Sequence, residues 1–151
     1  METKILRQLD YQIFVPTGYH FMIRYLNFVN ASDQIRHLSF YYAERNLQEY
    51  NMLNYSPSQF SATALFAALA YRADGSPVIA SSIWSLELVE ITGFSEAEVV
   101  PIALNLLKHV HEESYTASKR QLLAAKKKYT SEKYLSVSGL GLPIITLDEC
   151  A

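Results

Sequence analysis

The 151-residue chain contains one cysteine, one tryptophan, five glycines and five prolines. A single thiol, Cys150, cannot form an internal disulfide, and a chain this long can bury a core without one. The expectation from cysteine usage is therefore an intracellular protein. No run of about 18 apolar residues occurs, so no membrane-spanning helix is indicated. The opening METKILRQLD is charged where a signal peptide needs an apolar stretch. Charge of one sign is missing too. The net charge is -2, whereas a dedicated nucleic-acid binder usually shows a basic balance.

Half the residues are hydrophobic, 13% are aromatic and 19% are charged. That is globular composition, sufficient for one domain. Eleven tyrosines predict interior rings with a polar tip.

Helical spacing runs through every long segment, and strand alternation is nearly absent. Met1, Ile5, Leu9 and Ile13 recur four apart and make one apolar stripe. A stop is expected at Phe14-Val15-Pro16, because proline disfavours helix in the residue before it. Pro16 or Thr17 opens a second helix through Phe21, Met22, Tyr25, Leu26 and Val29. Ser32 or Asp33 caps a third, expected to run to about Leu53 and to bury more than one side. Ser56-Pro57-Ser58-Gln59 combines a capping serine, proline at the first helical position and a capping-box glutamine. The helix that follows, Phe60–Tyr71, is small and apolar on nearly every face, which places it at the centre of a bundle. Residues 72–77 read as a loop. A helix over Ser81–Thr92 ends at Gly93 in a left-handed cap. Ser95-Glu96-Ala97-Glu98 opens another, in which Pro101 should bend the axis or confine itself to the first turn. A polar helix over Thr116–Tyr129 and an extended tail from Gly139 complete the reading. The sum is an all-α domain with the bundle at 15–138, preceded by a helix at 1–14 and followed by a tail at 139–151.

Catalytic chemistry is hard to find. His109 and His111 point to two sides of a helix. His109 and Glu113 can share a face, but two ligands do not fix an ion, and the pair reads as a solvated helix end. Cys150 has no base or helix N-terminus beside it. Gly139 and Gly141 lack the Gly-Lys-Ser/Thr of a phosphate loop. No catalytic, cofactor or metal residue is assigned, and the chain is not expected to be an enzyme. The stretch KRQLLAAKKKYTSEKY, residues 119–134, has six basic residues and two tyrosines. It reads as a solvated face with cations near a helix C-terminus rather than as a nucleic-acid site. Ser76, before Pro77 in the loop, is the one serine worth testing as a phosphorylation site.

Four motifs in order carry a resemblance. The first is Met1-Glu2, Ile5-Leu6, Leu9, Tyr11 and Ile13, followed by Pro16, Thr17 and Phe21. The second is Leu53, Tyr55, Pro57 and Ser58 before an alanine-rich helix. The third is Trp84, Leu88, Thr92, Gly93 and Phe94, then Pro101. The fourth is Lys128, Tyr129, Ser131, Lys133, Tyr134, Val137 and Ser138. Together they cover residues 1–142 and resemble the C-terminal cyclin-fold half of A- and B-type, mitotic cyclins. The resemblance implies a five-helix bundle around a buried central helix. It implies a regulatory subunit that activates a cyclin-dependent Ser/Thr kinase in the cell cycle, in the nucleus and cytoplasm, with no cofactor, membrane or nucleic-acid partner. Residues 1–14 resemble the last helix of a first cyclin box. That box holds the main kinase-gripping surface in the family, so a fragment, or a chain that begins late, is expected. The stripe Met1, Ile5, Leu9 and Ile13 would meet the first box. Without it, the segment should detach, fold back or self-associate. The other reading is a transcriptional adaptor similar to the repeats of transcription factor IIB, which the net charge disfavours.

Overall fold

The computed structural model describes residues 1–115 and 123–146, with side chains described for 1–111 and 123–146. The central element is α4, Pro57–Leu69. Ser56 accepts a hydrogen bond from the Gln59 N–H at 3.2 Å, and Pro57 occupies the first turn, where its missing donor costs nothing. Every residue from Phe60 to Ala68 is buried. No polar face exists to point at water, so other helices must surround it. They are α2 (Gly18–Phe28), α3 (Asp33–Asn46) and α6 (Glu96–Tyr115), which make the most extensive contacts with it. The alanines bring their backbones close. Ser61 donates to the Gly18 carbonyl at 2.7 Å, and a Cβ on Gly18 would sit 3.2 Å from that hydroxyl. Glycine therefore lets the start of α2 lie against α4.

The first helix, α1 (Glu2–Gln8), is shorter than the stripe predicts and buries nothing. It stops well before Pro16. Asp10 and Tyr11 take positive φ, the Tyr11 N–H donates to the Leu6 carbonyl, and the Asp10 N–H donates to that of Arg7. This Schellman pair ends the helix locally, and proline has no part in it. Ile13 therefore lies off the helix, and the four-residue stripe is interrupted after Leu9.

Two further boundaries differ from expectation. Helix α3 ends at Asn46, and the chain reaches Leu53 through a 3-10 turn, Tyr50–Asn54. The Asn46 side-chain amide donates to the Tyr42 carbonyl at 2.7 Å, an intrahelical alternative that asparagine offers the backbone. Leu47 and Tyr50, past the end of α3, are 73% and 84% exposed. The segment after the 72–77 loop is not one helix. Val78–Ile79 forms a strand, β1, Ala80–Ser82 a 3-10 turn, and α5 covers only Leu86–Thr92, capped by Ser85. Gly93 takes the left-handed cap at φ 78°. Helix α6 passes through Pro101 without ending. Of the helix expected over Thr116–Tyr129, α7 occupies Ala124–Tyr129, and 116–122 lie outside the described residues.

The tail is extended but held. Ile145–Thr146 forms β2, which pairs in parallel with β1. Leu140, Leu142 and Ile145 pack against the core. Among the described residues no helix is long and apolar enough to cross a membrane.

Candidate partner-binding surface

Two exposed apolar features stand out on this bundle. One is α1 with its continuation, where Met1, Ile5, Leu9 and Ile13 are 95%, 52%, 49% and 66% exposed. The other is a groove of about 650 Å³ at one end of the bundle. Tyr19 and Met22 of α2 form one wall, Phe40 of α3 and Leu47 just past its end another. Met52 and Leu53 of the 3-10 turn and Phe60 of α4 close it. Tyr19 stacks on Phe40 with ring centroids 5.6 Å apart. The lip is Pro16, Thr17, Tyr55 and Pro57.

The polar groups of this groove include the hydroxyls of Thr17, Tyr19, Tyr55 and Ser61. Glu44 and Glu49 supply carboxylates, and Asn46 lies beneath with its Oδ1 unpartnered. No histidine, cysteine or lysine lines it. A groove of this size is the default place to look for a bound partner or ligand. Among the described residues no cluster of three or more His, Cys, Asp or Glu is placed to hold a metal ion. The side chain of Glu113, considered with His109, and all of Cys150 lie outside the described residues.

The remaining motif residues fall into two structural units. Trp84 is buried, donates its ring N–H to the Phe94 carbonyl at 2.9 Å and meets Phe66 edge-on. Gly93 turns the chain so that Phe94 reaches it. The second unit is a clamp on α3. Lys128 forms an ion pair with Glu44, Tyr129 donates its hydroxyl to the same carboxylate at 2.9 Å, and the Tyr129 and Tyr134 rings lie 4.9 Å apart. The Lys128 ammonium sits over both rings, and Lys133 lies over Tyr134. Burial, and then the Glu44 hydrogen bond, raise the Tyr129 hydroxyl far above its ordinary value, so it stays protonated and donating. The Ser131 carbonyl accepts from the backbone N–H groups of Tyr134 and Ser136, closing the turn that carries the clamp. Lys128 is therefore engaged with α3 rather than offered to a phosphate. Ser58 shares a hydrogen bond with Ser56 at 3.0 Å.

Residues 16–141 match the family model for the cyclin C-terminal domain. The chain belongs to the cyclin family. It is 33% identical over 137 residues to Cyclin-B1-3 of Oryza sativa subsp. japonica, covering 91% of this chain and 27% of that protein. It is 33% identical over 138 residues to the G2/mitotic-specific cyclin-B2 of Oryzias javanicus, covering 91% and 34%. The G2/mitotic-specific cyclin-B of Dictyostelium discoideum is 29% identical over 140 residues, covering 93% and 30%. The chain thus spans about a third or less of the length of these relatives. Cyclins are regulatory subunits rather than enzymes.

Motif reading had singled out the groove's lip but not its walls. Met22 and Phe60 read as core, and Leu47 as part of a buried helix face. Only the break of α3 at Asn46 turns Leu47 and Leu53 into the rim of a groove. Leu53 stands in the second motif, but nothing in the spacing of Leu47, Met52 and Leu53 shows that they share a groove.

Proposed function

We propose that this chain is the C-terminal lobe of a mitotic-type cyclin, supporting a first cyclin box that grips and activates a cyclin-dependent Ser/Thr kinase. The carrying observation is the family match over residues 16–141, joined to 33% identity with B-type cyclins across nine-tenths of the chain. In this reading α1 meets the first box through Met1, Ile5, Leu9 and Ile13, and the protein works in the nucleus and cytoplasm. The bundle's part is mechanical: a rigid body whose buried α4 holds the surface against which the first box rests. No observation favours a nucleic-acid adaptor, since the net charge is -2 and Lys128 is taken up by Glu44.

Two samples test the proposal: the 151-residue chain alone, and the same chain joined behind the first cyclin box of a B-type relative. Each is mixed with a cyclin-dependent kinase, and complex formation and phosphorylation of a protein substrate are measured. The chimera is expected to bind and activate, and the chain alone to do neither. Activation by the chain alone would move the activating surface into this lobe, and an inert but folded chimera would remove the kinase role altogether.

A further inference from the structure

Two serines of this chain precede a proline, Ser56 and Ser76, and the fold treats them differently. The Ser56 hydroxyl accepts the Gln59 N–H at 3.2 Å, and Pro57 opens α4, which is buried from Phe60 to Ala68. An enzyme that takes Ser56 as an extended segment must unwind the central helix. Ser76 stands in the opposite situation. Every residue from Arg72 to Pro77 is exposed. Gly75 turns the chain at φ 70°, and its N–H donates to the Arg72 carbonyl at 3.1 Å. A Cβ added to Gly75 would meet nothing within 4 Å, so the loop stands clear of the bundle. None of these residues lines the groove or belongs to α1.

The dipeptide selects the class of enzyme. A residue before proline favours extended geometry, the form in which a kinase cleft takes its acceptor. Proline has no N–H, so a pocket with no acceptor for that donor favours proline over other residues. The third residue after Ser76 is Ile79 rather than a cation, which points to a proline-directed kinase that needs no basic residue there. The segment it must grip runs into β1, but β1 is a two-residue pair and opens far more easily than α4. The Ser76 N–H donates to the Asp74 carboxylate at 3.0 Å. That N–H, and then the Ser76 hydroxyl, hold the Asp74 carboxyl below its ordinary value, so the hydroxyl lies beside a negative charge. Arg72 is engaged elsewhere, donating to the Leu69 and Tyr71 carbonyls at the end of α4 at 2.9 and 3.1 Å. We propose that Ser76 is the phosphoacceptor of a proline-directed Ser/Thr kinase, and that its phosphate releases the β1–β2 pair two residues downstream. The co-reactant is magnesium ATP. The Ser76 oxygen bonds to the γ-phosphorus, the bond from that phosphorus to the ADP oxygen breaks, and the hydroxyl proton passes to the kinase's base. The new group carries about -1.5 to -2 charges and repels Asp74, which opens the turn. Val78 then loses its N–H bond to the Ile144 carbonyl and its carbonyl bond to the Thr146 hydroxyl. This inference does not depend on the kinase-activating reading, because the enzyme that modifies Ser76 need not be the one the lobe serves.

The folded 151-residue chain is incubated with magnesium ATP and an activated mitogen-activated protein kinase, a proline-directed enzyme, and the modified residue is located by peptide mass spectrometry. One phosphate per chain is expected, on Ser76, with Ser56 unmodified. Ser76→Ala and Pro77→Ala, both at exposed positions, should each lose most of the incorporation while keeping wild-type helicity. A wild-type chain that takes up no phosphate would overturn the proposal. So would phosphate on Ser56, or incorporation that survives Pro77→Ala. Amide exchange on the phosphorylated chain tests the release. Exchange at Val78 should be several-fold faster than in the unmodified chain, with α4 unchanged, and the difference should shrink in high salt because the repelling charges are exposed. Equal exchange at Val78 would overturn the release. Slower exchange would do the same, showing that the phosphate draws Arg72 across the turn and closes it.

Discussion

Ser95 and Glu98 show how little a side chain needs in order to mark a boundary. The Ser95 N–H and hydroxyl both donate to one Glu98 carboxylate oxygen, at 2.8 and 2.7 Å. These donors hold the Glu98 carboxyl below its ordinary value of 4.5, the hydroxyl acting most strongly. A folded-state value below the unfolded one gives stability that is present above pH 4.5 and lost as pH falls through the lowered value. The Glu98→Gln variant keeps the oxygen acceptor and removes the charge. It should unfold at a lower temperature than wild type at neutral pH, and the gap should close as both are titrated to about pH 3. A gap independent of pH would mean that the charge of Glu98 contributes nothing to the cap. The motif residues themselves were legible as a list but not as a mechanism. Nothing in the spacing of Lys128, Tyr129 and Tyr134 names Glu44 as the group they converge on, because that partner lies on another helix and only folding brings it there.

Among the elements, α4 was the most legible, and the reason is physical. A capping serine, a proline at the first position and an apolar residue on every face all depend on neighbours within one or two turns. The elements misjudged were those whose ends depend on something else. Helix α1 stops because a Schellman turn competes with continued helix, and no glycine announces it. Helix α5 begins at Leu86 rather than Ser81 because β1 and a 3-10 turn occupy Val78–Ser82. Helix α6 was not among them: a helix carried through Pro101 is one that proline was expected to bend, and burial of Val99, Val100, Ile102 and Ala103 outweighs one missing backbone bond. The centrality of α4 has a measurable consequence. Phe66 is fully buried and meets Trp84 edge-on at 5.8 Å. Phe66→Ala removes a ring from a site walled by backbone-close helices that cannot collapse to fill it, so it should cost about 3–5 kcal/mol in denaturant unfolding. Leu86→Ala, at a position 82% exposed, should change stability by less than about 0.5 kcal/mol. Similar costs at the two sites would contradict a core centred on α4.

The molecule as a whole divides into a bundle and a wrap. The bundle is α4 with α2, α3 and α6. The wrap is the segment from α7 onward, which crosses α3 through the Glu44 clamp and returns to β1. The tail expected to trail is thus the strand that holds the loop before α5 in place. The Val78 N–H donates to the Ile144 carbonyl at 2.8 Å, and the Thr146 hydroxyl donates to the Val78 carbonyl at 3.3 Å. A two-residue parallel pair is weak by itself, and parallel pairing needs a long connection, so no local pattern could have announced it. It leans on Leu140, Leu142 and Ile145 packing against the core. Ending the chain after Pro143 removes the strand but leaves the bundle's mutual contacts intact. Amide exchange at Val78 should then accelerate towards the rate of an unprotected loop, while the amides of α4 stay as protected as before, since their opening requires the bundle to separate. Loss of protection in both places would make the wrap part of the same cooperative unit as α4. Unchanged exchange at Val78 would show that the strand pair holds nothing. The expected split result makes the wrap a strap that positions the α5 corner, and with it Trp84 and Gly93, against a bundle that stands without it.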